Sequence, residues 1–373
     1  KTAIIEYFLG EKRSLMFVLT KKNFSFHVLP SRESIVKSIR AYVKILSQPP
    51  KEEFKGFLAS RRIYKELFSF TERNIGDAVE NLIIIPDGIL YYLPFETLII
   101  PGSENSIKEN FLINKYKISY APSSSSLLFL LKKKIHKEPS KGLLAFGDPF
   151  YSAADSSRRK NNKTYAEVLK ELYSTQGFDC SALPYSQKEI QLISRYFLKG
   201  KKDIYLQKEA KEDLVKRIHL KDYKIIHFAC HGFLDEKFPH RSALVLALDD
   251  DKSEDGFLQV REIYNLRINA DLIVLSACQT GRGRLEKVEG ILGLPRIFFY
   301  AGADSVVSTL WKVRDKATAI FMNHFYHYLS QGHDKSQSLR LAKLKMMNSK
   351  FSHPFYWSAF ILNGDYSAKL NFN

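Results

Sequence analysis

The 373-residue sequence has only three cysteines, Cys180, Cys230 and Cys278, at spacings that match no disulfide framework. That excludes a small disulfide-stapled secreted domain and fits a reducing, cytoplasmic compartment. Long apolar runs are missing as well. The longest, around Asn81 to Pro86 and Asp271 to Ala277, fall far short of the roughly 20 residues that span a bilayer. There is no signal-peptide core either, so no membrane role is expected. No repeat of roughly 20–50 residues recurs, and no stretch carries an RNA-binding or helix-turn-helix signature. The chain opens on Lys1 rather than Met, already inside a strand-like run, which reads as a piece of something longer.

What is plentiful is apolar and basic. Hydrophobic residues make up 45% and aromatics 13%, with 27 Phe and 20 Tyr, enough to bury a sizeable core as one large or two smaller domains. Lys and Arg number 57 against 40 Asp and Glu, a net charge of +17. A charge of that size can be a nucleic-acid footprint. Here it is spread over solvated faces, as in Lys132, Lys133 and Lys134 or Lys199, Lys201 and Lys202, so nucleic acid is not directly indicated.

Short apolar runs alternate with helical periodicity along the chain, which predicts a layered α/β fold. Ile4 to Leu9 and Leu15 to Thr20 read as a hairpin around Gly10. Ile35, Ile39, Val43 and Leu46 share one helical face behind a Ser31 cap, and Pro49-Pro50 ends that helix. Leu82 to Ile85, Pro86-Asp87-Gly88 and Leu90 to Leu93 read as a second hairpin. Lys117 to Tyr120 and Leu143 to Phe146 read as strands, with a Lys-rich boundary between them near residue 138. Residues 152–163 are almost free of apolar side chains and read as a mobile surface loop open to nicking. Beyond them, Lys224 to Cys230, Ala243 to Leu248, Asp271 to Ala277, Ser305 to Leu310 and Tyr356 to Leu362 are rich enough in Ile, Val and Leu for strands buried on both faces. Helices are predicted over Ser186 to Leu198, Ala210 to His219, Asp315 to Leu329 and Ser336 to Met347, the last two with Asp or Ser near their starts as caps.

Two of these strands end in chemistry. The run Ile225 to Ala229 delivers Cys230-His231-Gly232, and Leu272 to Ser276 delivers Ala277-Cys278-Gln279-Thr280-Gly281. Functional residues of an open parallel sheet collect beyond the carboxyl ends of its strands. A Cys and a His placed there can perform nucleophilic catalysis, the thiolate attacking a carbonyl while the imidazole moves protons. The glycines leave backbone N–H groups accessible to an oxyanion. Two plainer readings stand beside this one: a core cysteine with a His-Gly turn, and a zinc site from His227, Cys230, His231 and Cys278. The zinc site is disfavoured because His227 and Cys230, three apart on a strand, face opposite sides of the sheet.

The chain resembles the CHAT domain family, caspase-like cysteine peptidase domains often found behind tetratricopeptide repeats and related to the caspase, separase and gingipain group. The Cys in its Ala-Cys-Gln-Thr-Gly run, with a His some 50 residues upstream, is close to the caspase signature. The likeness extends over nearly the whole chain. It is carried by Ile84-Ile85-Pro86-Asp87-Gly88, Leu93-Pro94-Phe95-Glu96, Ser119-Tyr120-Ala121-Pro122-Ser123, Leu144-Ala145-Phe146-Gly147-Asp148-Pro149 and His227-Phe228-Ala229-Cys230-His231-Gly232. Leu275-Ser276-Ala277-Cys278-Gln279-Thr280-Gly281, Glu289-Gly290, Tyr300-Ala301-Gly302-Ala303, Thr309-Leu310-Trp311 and His353-Pro354-Phe355-Tyr356-Trp357 complete it.

The resemblance implies a caspase-like layered α/β/α sheet, with a pseudo-caspase-like half over residues 1–138 and a catalytic half over residues 139–373. The first half has no Cys, and its only histidines are His27 and His136. Cys278 would be the nucleophile, His231 the general base and acid, and the amides of Gly232 and Cys278 the oxyanion hole. Cys230 stands where the family often has Thr, and Gln279 where it often has Glu; neither change removes a catalytic group.

Asp148, by analogy with related peptidases, would select a basic P1 side chain; capping the turn before Pro149 is its other reading. No cofactor or metal is expected, since the acidic run Asp249, Asp250, Asp251, Glu254 and Asp255 lacks EF-hand spacing and Asp255-Gly256 reads as a hairpin turn. The function so implied is a latent cysteine endopeptidase with a protein substrate, activated by a partner or an upstream tetratricopeptide-repeat region in a prokaryotic signalling or defence system. The rival is a caspase-like interaction scaffold with an idle dyad.

Overall fold

The computed structural model describes residues 1–101, 110–132, 138–151, 181–233, 235, 238–248, 254–276 and 289–372. The strands are β1 (Thr2–Phe8), β2 (Ser14–Thr20), β3 (Phe24–Leu29), β4 (Asn81–Ile85), β5 (Lys117–Tyr120), β6 (Lys141–Pro149), β7 (Lys202–Gln207) and β8 (Tyr223–Ala229). They continue as β9 (His231–Phe233), β10 (Ala243–Val245), β11 (Phe257–Gln259), β12 (Leu272–Leu275), β13 (Ser305–Thr309) and β14 (Phe360–Gly364). The fold is mixed α/β with mostly parallel pairing, in two compact units. One comprises Lys1–Ile135 with His324–Leu370, the other His136–Asn323 with Asn371–Asn373. The sequence division at residue 138 thus lies near one boundary, while the stretch His324–Leu370 returns to the first unit. No helix among the described residues is long and apolar enough to cross a membrane.

In the first unit the strands lie in the order β3-β2-β1-β4-β5-β14. The first three form an antiparallel meander, and β1, β4, β5 and β14 run parallel. Helix Arg32–Ser47 buries Ile35, Ile39, Tyr42, Val43 and Leu46 as its periodicity predicts. The aromatics Phe355 and Trp357 are likewise core. A buried polar triad ties this unit together. The Lys343 ammonium, on helix Lys335–Met347, meets the Glu96 carboxylate, and the Tyr120 hydroxyl donates to Glu96 Oε2 at 2.6 Å. Lys343 and Glu96 are 1% and 2% exposed. Burial pulls the Lys343 pKa below its usual value, and the adjacent carboxylate opposes that pull.

The second unit holds an all-parallel sheet in the order β13-β12-β8-β6-β7 and a small antiparallel sheet in the order β11-β10-β9. Strand β8 is buried on both sides, as its apolar run predicts. Phe228 faces helix Glu289–Ala301, with its ring 6.1 Å from that of Phe298. His227 faces helix Pro184–Ile193 and meets Glu189. Helices therefore cover both faces of this sheet, the layering that the alternation along a strand requires. Helix Pro184–Ile193 sits so close to β6 that a Cβ on Gly147 would lie 2.5 Å from Ile190.

Some elements differ from the sequence reading. Leu90 to Leu93 is not a strand. The Leu90 N–H bonds back to the Asp87 carbonyl at 3.1 Å and the chain coils into a 3₁₀ turn over Gly88–Tyr92, with Gly88 at φ 55°. Asp87 is held there because its carboxylate accepts the Leu9 N–H at 2.7 Å. The predicted strand over Tyr356 to Leu362 is two elements. His353 Nδ1 accepts the Phe355 N–H at 3.1 Å and caps a helical turn over Pro354–Trp357, and extended chain resumes at Phe360. Strands β3 and β7 were not anticipated. In β3 the apolar Phe24, Phe26 and Val28 are the exposed side, the reverse of the usual amphipathic signature.

Because the Lys343–Glu96 pair is buried, Lys343→Met strands a carboxylate in the core and is expected to cost about 3–5 kcal/mol. Lys1→Met, whose bridge to Glu80 lies on the surface, is expected to leave the midpoint unchanged. Urea unfolding of the three proteins checks both.

Candidate active site

The site is organised by two adjacent parallel strands. Leu272, Ile273, Val274 and Leu275 of β12 pair with Ile225, Ile226, His227 and Phe228 of β8. In the sequence His231 lies as many residues beyond Phe228 as Cys278 lies beyond Leu275, the last pair of this register. Residues 277–288, Cys278 among them, lie outside the described residues, as does Cys180.

His231 opens β9, directly opposite Val245 of β10, and is 1% exposed. Its Nε2 is 2.6 Å from the Ser181 carbonyl oxygen. A carbonyl only accepts, so Nε2 carries the ring proton, and in the neutral ring Nδ1 is the basic nitrogen. Its backbone N–H donates to the Tyr151 hydroxyl at 3.1 Å. Gly232 follows within β9, opposite Leu244. The imidazole is thus held from both its ring and its backbone.

The other Cys and His of the segment are placed differently. Cys230 is 1% exposed and packs in a core cluster with Phe228, Leu244 and Phe298. His227 is fully buried, with Nε2 2.8 Å from Glu189 Oε1. Period-two alternation has sent them to opposite faces, and His227 already has a carboxylate partner. Among the described residues a different set lies within metal-ligand reach, Glu212, Glu254 and Glu262. The Lys216 ammonium fills it, 2.7, 2.7 and 2.9 Å from the three carboxylates. Glu212 also accepts the Gly256 N–H at 2.8 Å, which pins the turn between β10 and β11. Gly256 has φ 81°, as the sequence reading of a turn there requires.

Asp148 lies at the same sheet edge. It is the penultimate residue of β6, next to Gly147, which pairs with Ala229 of β8. Its backbone is left-handed at φ 45°, its N–H donates to Ser186 Oγ at 2.8 Å, and its carboxylate accepts from the Gln207 amide. Burial raises its pKa, against the Gln207 hydrogen bond that lowers it. Two further carboxylates share this corner. Burial pushes Asp315 up to about 6; the Tyr185 N–H, bonded to it at 2.7 Å, pulls it down, while the charges of Glu189 and Asp148 push it further up. Asp315 had been read from the sequence only as a helix cap, and no spacing linked it to Asp148.

The sequence profile of the CHAT domain matches residues 58–365. The chain belongs to the CHAT domain family. It is 26% identical over 324 residues to tetratricopeptide repeat protein 28 of Mus musculus, and 25% identical over 324 residues to that of Homo sapiens. Each alignment takes in 78% of this chain and only 12% of the relative, so the chain spans a small part of the proteins it matches. In three dimensions it is similar to Saccharomyces cerevisiae separase, solved with securin, at a TM-score of 0.53 and 12% identity. That match covers 97% of this chain and 30% of separase. It shows that the CHAT domain has a caspase-like fold.

Of the residues that the family resemblance singles out, the CHAT structure brings His231, Gly232 and Asp148 to one sheet edge and places Cys230 in the core. Sequence reasoning missed Ser181, Tyr151, Glu189 and Asp315. Ser181 acts through a backbone carbonyl, which any residue possesses, and Tyr151 is one of 20 tyrosines. Cys230 is expected to resist iodoacetamide in the native CHAT domain and to react only after unfolding, a contrast that peptide mass spectrometry reads directly.

Proposed function

We propose that this CHAT domain is a cysteine endopeptidase that cleaves a protein substrate through Cys278 and His231. The observation that carries the reading is the in-register pairing of β8 with β12, together with the Nε2 contact that leaves Nδ1 as the basic nitrogen of His231. In this mechanism Nδ1 takes the Cys278 thiol proton as sulfur attacks the scissile carbonyl, then delivers it to the leaving amine. Water afterwards hydrolyses the thioester, with His231 again moving the proton. Positioned proton transfer contributes roughly 10²–10⁴-fold. The Gly232 and Cys278 amides would carry the oxyanion, each on the order of 3 kcal/mol. Residues 1–138 serve as the pseudo-caspase-like half and 139–373 as the catalytic half.

The corner of Asp148, Glu189 and Asp315 supports a basic P1 side chain. Burial holds Asp315 and Asp148 above their usual pKa, the charges of Glu189 and Asp148 add to the rise at Asp315, and a guanidinium or ammonium would relieve them. Control by an upstream tetratricopeptide-repeat region or a partner, holding the enzyme latent, is supported by the repeat-protein names of the curated relatives. A cytoplasmic place and a prokaryotic signalling or defence setting rest on cysteine usage and the family resemblance. The relatives' names mention repeats and no peptidase, which favours a second reading, a scaffold with an idle dyad. Retention of His231, Gly232 and Cys278 argues for the enzyme.

Peptide-library cleavage read by mass spectrometry tests the reading. Cys278→Ala is expected to abolish cleavage and His231→Ala to lose nearly all of it, while Cys230→Ala and Cys180→Ala keep most. Equal loss in Cys230→Ala would overturn the assignment. No cleavage by the full-length protein together with its partners would leave the scaffold.

The acidic corner gives a pH signature. Asp315 is neutral below about 6 and ionised above it, so preference for Arg over Leu at P1 is expected to rise several-fold between pH 5 and 7. Taking the ratio of kcat/KM for the two peptides cancels titration of the dyad. In Asp315→Asn the ratio should be flat with pH, and in Asp148→Ala it should be low throughout.

A further inference from the structure

We propose that Tyr151 is a positioning residue for His231. The two side chains come from segments 80 positions apart, and Tyr151 meets His231 in two ways, through its hydroxyl and its ring. Its hydroxyl accepts the His231 N–H at 3.1 Å and donates to the Val245 carbonyl at 3.0 Å. His231 and Val245 are directly opposed in the β9–β10 pair, so one hydroxyl bridges the two strands at the level of the imidazole. The phenol ring also lies against the imidazole, with centroids 5.0 Å apart and planes at 43°.

Tyr151 is itself well anchored. Its ring packs against the cluster of Phe233, Ala243, Val245, Leu248 and Phe257. Its backbone bridges to Leu248, whose N–H donates to the neighbouring Phe150 carbonyl at 3.0 Å. The phenol is therefore a strut between the end of β6, where Asp148 sits, and the strand that begins with His231. The Ser181 carbonyl then sets the remaining freedom of the imidazole, its rotation, by taking Nε2–H. Tyr151 would act in two separable ways: the hydroxyl fixes the His231 backbone, and the ring face stabilises the imidazolium that forms when the thiol loses its proton.

Tyr151→Phe removes the first and keeps the second; Tyr151→Leu removes both. Three readouts separate them. Amide exchange at His231 should quicken at least tenfold in Tyr151→Phe. The His231 titration, followed by NMR of ¹³C-labelled histidine, should stay at the wild-type midpoint in Tyr151→Phe. In Tyr151→Leu it should fall by about half a pH unit, since a cation loses an aromatic face. Turnover should drop through kcat with KM unchanged, about tenfold in Tyr151→Phe and more in Tyr151→Leu. Wild-type exchange in the first variant together with a wild-type titration in the second would overturn the proposal. So would a lower melting temperature with unchanged kcat, which is what a merely structural tyrosine gives. Only the turnover readout rests on the peptidase reading. If the wild-type protein cleaves nothing, that reading falls, and the exchange and titration readouts still decide on Tyr151.

Discussion

The parallel, in-register pairing of β8 and β12 is the constraint from which the site follows. A parallel ladder fixes which residues leave the sheet side by side, and here Phe228 and Leu275 are the last of four paired positions. A slip of one residue in β8 would exchange the sets of side chains that face its two helix layers. His227 would lose Glu189 and Cys230 would leave the core cluster. Packing on both faces therefore protects the placement of β8, and with it that of His231 just beyond its end. That is why apolar runs that look purely structural matter to the chemistry.

A second level of order comes from polar groups that packing alone would not place. His231 is nearly fully buried, and a buried imidazole with an unsatisfied nitrogen is costly. The Ser181 carbonyl meets that cost and fixes the tautomer in the same contact. Around Lys216 the logic is reversed: one ammonium among three carboxylates holds the turn that joins β10 to β11, and so braces the small sheet containing His231 and Gly232. Burial leaves Glu212 raised to about 7, so this brace is tightest when Glu212 is ionised and weakens as pH falls through that value.

Much of this was legible in the sequence, for reasons that differ between elements. β4, β6, β8, β12 and β13 announce themselves because a strand buried on both faces must be apolar throughout. The proposed dyad residues lie in the sequence just beyond where two of those runs stop. β3 was hidden because its Phe24 and Phe26 are exposed, and Leu90 to Leu93 misled because a buried 3₁₀ turn needs the same side chains as a buried strand. Asp315 was hidden by ambiguity: an Asp that opens a helix suffices as a cap, and only the folded chain brings it toward Asp148 and Glu189. Carbonyl and backbone contacts such as that of Ser181 leave no mark on a sequence at all.

The charge distribution bears on what the edge is for. A chain with a net charge of +17 has cations to spare, and three of its carboxylates elsewhere have found them: Glu96 has Lys343, Asp365 has Lys335, and Glu212 has Lys216. The corner at the sheet edge is different in kind. Asp148 takes its hydrogen bond from a neutral amide, Asp315 from a backbone N–H, and Glu189 from an imidazole. Burial drives Asp315 up to about 6, the charges of Glu189 and Asp148 add to that rise, and the Tyr185 N–H and the Lys312 charge oppose it. Three carboxylates elsewhere are thus paired with lysine, whereas at this corner Asp315 is held down by the Tyr185 N–H and the charge of Lys312. Under the proposed peptidase reading, a basic side chain ahead of the scissile bond would add a cation to this corner.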